Sequence, residues 1–258
     1  MKKLYALLNF SSIAAVIYWN YYINTRGING NTVGSLSDEY ANLFTPAGYA
    51  FAIWGIIFLA LLALGIFQLW VAFANKADTT ILQMGPWLLI ANIGNCLWLW
   101  FWLQMQTAIS VFIMLLILVS LLQVVFRLQM QITTRSRSVY LFTWLPISLY
   151  VGWISVATIA NIAAYLAKIG WSGGWSETGW AALMIIVALA VNLFVLFNRN
   201  MNVFAGVGIW ALLAIAVRHW EQNAILQWIA LASAVLLAIA IVYNIIARRR
   251  YTISARYR

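Results

Sequence analysis

Residues 79–126 read TTILQMGPWLLIANIGNCLWLWFWLQMQTAISVFIMLLILVSLLQVVF and run from Asp78 to Arg127 without one charged side chain. The hydrocarbon core of a bilayer takes about 20 apolar residues per helical span, so a stretch of this length crosses twice. Residues 104–106 mark the turn between the two crossings and leave room only for a tight hairpin. The run also contains Asn95-x-x-Trp98-x-x-Phe101-Trp102, which furnishes the interior with indole and amide rather than with acid–base groups.

The rest of the chain is of the same kind. With 65% hydrophobic and 8% charged residues and a mean hydropathy of +0.91, it has too little polar surface for a soluble domain. In lipid every backbone amide must be satisfied within its own segment, and long apolar runs without alternation favour helices over a barrel. The expected fold class is all-α, a polytopic helical membrane protein of about eight transmembrane helices. No separate soluble domain is expected, because the longest polar stretch is residues 24–43.

Charges and turn residues delimit the eight spans at 4–23, 45–74, 85–105, 107–127, 139–167, 178–198, 201–218 and 223–247. Thr45-Pro46 and Gly85-Pro86 read as helix starts, with proline tolerated in the first turn. The turn at residues 198–202 separates the sixth span from the seventh. The run 4–23 is read as a span and not as a signal peptide, since Tyr18, Trp19, Tyr21 and Tyr22 stand where a small-residue cleavage site belongs. Cys96, alone in mid-span, forms no intramolecular disulfide and reads as a small packing residue.

Basic residues sort by end. With both termini cytoplasmic, the inner ends hold Lys2, Lys3, Lys76, Arg127, Arg135, Arg137, Arg199, Arg248, Arg249, Arg250, Arg256 and Arg258, and the outer ends only Arg26, Lys168 and Arg218. Asp38, Glu39, Glu177 and Glu221 fall outside, as the positive-inside rule expects. The expected location is an integral membrane protein of a bacterial inner membrane. The net charge of +10 is spread over five segments, so membrane lipids and not nucleic acid are the expected anionic partner.

Catalytic chemistry finds little to work with. His219, the one histidine, falls beside Arg218 and Glu221 in an outer loop and reads as solvated. No span carries a buried acid, so carboxylate pairs, proton relays and a His/Cys/Asp metal cluster are not expected. Nucleophile–base pairs, phosphate loops and dinucleotide glycine motifs are missing as well. The sequence therefore predicts no catalytic residues, no metal and no cofactor.

Three motifs in order resemble the translocator-protein or tryptophan-rich sensory protein family (TspO/MBR). They are Pro46 followed by Ile53-Trp54-x-x-x-Phe58, then Asn95-x-x-Trp98-x-x-Phe101-Trp102, then Tyr150-x-x-Trp153-x-x-x-Ala157-x-x-x-Asn161. The chain departs from the family pattern at Thr45, Gly48 and Leu149. The resemblance implies a five-helix bundle over residues 1–168, and residues 169–258 then add three more helices with a basic tail. It also implies a pocket for a porphyrin or isoprenoid lipid, light-dependent porphyrin oxidation at most, and a homodimer.

Read for themselves, flat aromatic walls and a few buried amides make a small-molecule pocket. The candidate ligand-binding residues are Trp54, Phe58, Asn95, Trp98, Phe101, Trp102, Tyr150, Trp153, Ala157 and Asn161, with residues 24–43 as a lid. Asn92, Asn95 and Asn161 serve equally well as interhelical glue, and Trp19, Trp70, Trp87, Trp144, Trp171, Trp175, Trp180 and Trp220 read as interfacial belt residues. The functional expectation is a membrane sensor or receptor for a hydrophobic small molecule. The alternatives are a permease for a neutral or amphipathic molecule and a scaffold subunit without ligand.

Overall fold

The computed structural model describes residues 1–254 except 29, 40, 41, 134 and 172, with the backbone alone at Asp38 and over residues 248–254. The chain forms α1 (Lys2–Arg26), a short α2 (Val33–Glu39), a 3-10 turn (Gly48–Ala52) leading into α3 (Ile53–Phe73), a short α4 (Thr80–Met84), α5 (Trp87–Leu103) and α6 (Thr107–Arg127). A single helical turn, α7 (Arg137–Val139), and a π turn (Tyr140–Trp144) then open α8 (Leu145–Lys168), followed by α9 (Glu177–Arg199), α10 (Asn202–Arg218) and α11 (Ala224–Ser254).

Counted with the 3-10, α7 and π turns that open α3 and α8, the eight long helices match the predicted spans to within about a turn, except that α11 continues past residue 247. Gly48–Phe73, Thr107–Arg127, Arg137–Lys168, Glu177–Arg199 and Ala224–Ala247 are long and apolar enough to cross a membrane, and α5 and α10 are shorter apolar helices. This is a polytopic helical membrane protein.

Helix ends follow local chemistry. Ser176 caps α9 by accepting from the Gly179 N–H, and Asn200, in the left-handed region at φ 57°, ends it by donating to the Leu196 carbonyl at 2.8 Å. The predicted turn at 198–202 therefore exists. Thr45 does not cap the second span. It is buried, its hydroxyl reaches the Ser37 carbonyl at 3.5 Å, and the helical segment starts only at Gly48, after Ala47 and with no side-chain cap.

α8 is the central helix. Its span buries 67% of its most apolar window, against 28–39% for the other four, because α3, α6 and α10 all pack on it. α1 is held differently, through amides. Asn9 donates to Gln68 Oε1 at 2.9 Å, Asn92 to Ser12 Oγ at 2.9 Å, and Asn20 to Asn95 Oδ1 at 3.0 Å. Such bonds between membrane helices contribute about 0.6–2 kcal/mol each, and here they fix a helix whose own face is too polar to be held by lipid-like packing alone.

Small residues set the closest crossings. A Cβ on Gly152 of α8 would stand 3.1 Å from Val207 Cβ and 3.3 Å from the Phe204 backbone of α10. α10 also grips the 3-10 turn, where Trp210 Nε1 donates to the Ala50 carbonyl at 3.0 Å and the Ala47 N–H donates to the Ala214 carbonyl at 3.0 Å.

One end of the molecule gathers basic side chains. Lys2 donates to the Lys76 carbonyl, Lys3 lies over Phe73, Arg127 over Trp87 and Arg199 over Phe126, while Arg135 donates to Gln83. The side chains of Arg248, Arg249 and Arg250 and the whole of Arg256 and Arg258 lie outside the described residues. At the same end Trp144, expected in the interfacial belt, is 4% exposed and ends the π turn.

Overpacking a close crossing costs about 1–3 kcal/mol. Gly152→Leu is expected to lower the thermal midpoint of the detergent-solubilised protein by several degrees. Gly206→Leu, on an open face of α10, should leave the midpoint within a degree of the parent.

Candidate ligand-binding site

α3, α5 and α8 bring their motif residues to one place at the end of the bundle away from the basic side chains. A cavity of about 50 Å³ lies there, walled by Trp54, Trp98, Trp102, Trp153, Ala157 and Asn161. Trp98 and Trp102, one helical turn apart, stack with centroids at 5.9 Å and planes at 20°. Trp153 meets Phe51 edge to face at 6.1 Å. Phe51, Met114, Val156, Ala160 and Ala164 complete the walls.

Asn161 is the hub of the polar contacts. Its Oδ1 accepts from Trp98 Nε1 at 3.0 Å, and its Nδ2 donates to Ser110 Oγ at 2.9 Å, whose hydroxyl donates onward to the Thr107 carbonyl at 2.8 Å. One buried amide therefore joins α5, α6 and α8 and sets the plane of the Trp98 indole.

The other candidates stand outside the cavity wall. Tyr150 is fully buried, edge to face with Trp54 at 6.0 Å, and its hydroxyl reaches the Ala91 carbonyl at 3.5 Å. Phe58 stacks on Trp54 at 5.2 Å and so braces the wall from one turn further along α3. Asn95 faces α1, where it accepts from Asn20. Phe101 is half-buried and does not line the cavity.

The predicted lid is a folded cover. Val33, Ser37, Asn42, Thr45 and Pro46 line the cavity from above, and Leu36 and Phe44 are fully buried beneath the same segment. His219 fastens it. Expected in a solvated loop, it is 4% exposed, because it closes α10 and its Nε2 lies 2.7 Å from the Leu43 carbonyl. The Gly-, Asn- and Ser-rich composition of residues 24–43 was the sequence signal for a cover, whereas nothing around His219 signals a partner 176 residues away.

The arrangement suits holding a guest rather than transforming one. Trp faces offer large contact area at little conformational cost, and Asn161 supplies a directional contact. Among the described residues no group of three or more His, Cys, Asp or Glu is placed to hold a metal ion. The structure thus defines a helical membrane protein with a covered, Trp-walled cavity. The family described as TSPO-like protein has a model that matches residues 6–243, and the chain belongs to that family. The match takes in α9 and α10 and most of α11 as well as the first five spans. No curated protein and no solved structure gives a match.

Removing a partner from a buried donor costs about 1–3 kcal/mol. Asn161→Ala leaves Trp98 Nε1 without its acceptor and is expected to destabilise the protein by about that amount. Urea or thermal unfolding in micelles checks this, and tryptophan emission should change at the same time. Phe101→Ala, outside the wall, should leave the emission unchanged.

Proposed function

We propose that the protein is a membrane receptor or sensor that takes up a flat hydrophobic molecule, a porphyrin-like tetrapyrrole or an isoprenoid lipid, between Trp54, Trp98 and Trp153. The observation that carries this reading is the convergence of indoles from three separate helices on one covered cavity that Asn161 also lines. At about 50 Å³ the cavity is far below the roughly 300–1,000 Å³ of an occupied small-molecule site, so uptake requires the cover formed by α2 and residues 42–46 to lift. In this reading the five-helix half receives the guest and the last three helices buttress it, with α10 holding the hinge of the cover through Ala47 and His219.

Binding is favoured over passage by what lies deeper in the bundle. Leu61, Leu88 and Tyr150, all at 0% exposure, fill the space between the cavity and the basic end. Membership of the family supports a membrane location. The basic end faces the cytoplasm in our reading, since Lys and Arg are retained there, and that places the cover on the outer side.

Titration of the purified protein with protoporphyrin is expected to quench tryptophan emission saturably. The Trp98→Ala, Trp153→Ala double variant should weaken binding by about tenfold or more, taking each ring stack at about 0.5–1.5 kcal/mol. Quenching that never saturates, or that is the same in the double variant, contradicts the proposal. Flux of the same molecule into proteoliposomes would support a permease instead.

A further inference from the structure

A second cavity, of about 370 Å³, lies at the covered end of the molecule between the end of α8, the start of α9, Glu39 and residues 42–44. It is distinct from the Trp-walled cavity, with which it shares, among the described residues, only Asn42. Ala163 faces this space and the adjacent Ala164 faces the other, so one helix divides the two. The size falls in the range of small-molecule sites, whereas the Trp-walled cavity is closed down.

Its lining is split by polarity. Phe44, Ala163, Ala167, Ala181 and Met184 form an apolar floor, and Glu39, Glu177 and Lys168 bring charge to the same space. Trp171 and Trp180 stand with them, edge to face at 5.3 Å. The charges are not balanced. Lys168, which also lines the space, donates to the Met105 carbonyl, so two carboxylates stand against one cation. Glu39 and Glu177 are exposed and make no ion pair among the described residues. Two carboxylates and two indole faces beside an apolar floor form a receptor for a cation with a hydrophobic body, since aromatic faces and carboxylates both attract ammonium groups.

We propose that this cavity binds an amphipathic ammonium compound, its apolar body on the Ala163–Met184 floor and its head beside Glu39, Glu177 and the indoles of Trp171 and Trp180. The position is independent of any guest in the Trp-walled cavity. A small carboxylate or alcohol of the same shape lacks the charge the rim selects.

Calorimetric titration of the full-length protein in maltoside micelles, with empty micelles as reference, tests this using 4-phenylbutylammonium, 4-phenylbutyrate and 4-phenylbutanol. The ammonium is expected to bind saturably and about tenfold tighter than the carboxylate. Since an exposed ion pair is worth about 0.2–1 kcal/mol, Glu39→Gln with Glu177→Gln should weaken ammonium binding by about fivefold and leave the alcohol unchanged. Added salt should narrow the preference in the parent and have little effect in the double variant. Met184→Trp, which fills the floor, should abolish binding, and Trp98→Ala, which alters only the other cavity, should preserve it. The proposal is overturned by the absence of saturable heat, by equal affinity for ammonium and alcohol, by an unchanged affinity in the Glu39→Gln, Glu177→Gln protein, or by loss of binding in Trp98→Ala.

Discussion

A bilayer offers no water to an amide left without a partner, so a buried asparagine takes its hydrogen bonds from its own helix backbone or from other helices. Asn161 meets that demand by joining Trp98 of α5 and Ser110 of α6 to its own α8. The same bonds that satisfy the amide orient an indole and hold three spans at fixed spacing around a cavity. Asn9, Ser12, Asn20, Asn92 and Asn95 extend the principle to α1. Structural glue and cavity wall are thus the same residue in one place and different residues in another: Asn161 lines the cavity, while Asn95 works on the far side of α5.

The three C-terminal helices act on the cavity without lining it. Gly152 lets α10 approach α8 closely, and from that position α10 holds both flanks of the cover, through Ala214 to Ala47 and through His219 to Leu43. The cover is therefore tied to a part of the chain about 170 residues away in sequence. Below it, close packing of Leu61, Leu88 and Tyr150 leaves the Trp-walled cavity at one end of the bundle, next to the larger amphipathic space by α9.

Span positions were legible because charges, prolines and glycines punctuate apolar runs, and a lipid-spanning helix tolerates those residues only at its ends. The convergence of Trp54, Trp98 and Trp153 was legible from motif order and family resemblance. What each motif residue faces was less so. Asn92 and Asn95 share a helix face by spacing, yet spacing does not say that α1 supplies the amide and hydroxyl partners on that face. Tyr150 and Phe58 sit behind Trp54 for the same reason. His219 was misjudged because a residue flanked by Arg218 and Glu221 reads as solvated, while its real partner is a backbone carbonyl from another part of the chain. Thr45 looked like a helix cap because proline follows it, but Pro46 belongs to the cover.

The most direct measurement is an experimental density map of the protein prepared with protoporphyrin. The account predicts planar density flanked by Trp54, Trp98 and Trp153, with the segment around Pro46 displaced outward and Asn161 still bonded to Trp98. Density only on the lipid-facing surface, or indoles of those three residues turned toward acyl chains on different sides of the bundle, would contradict it.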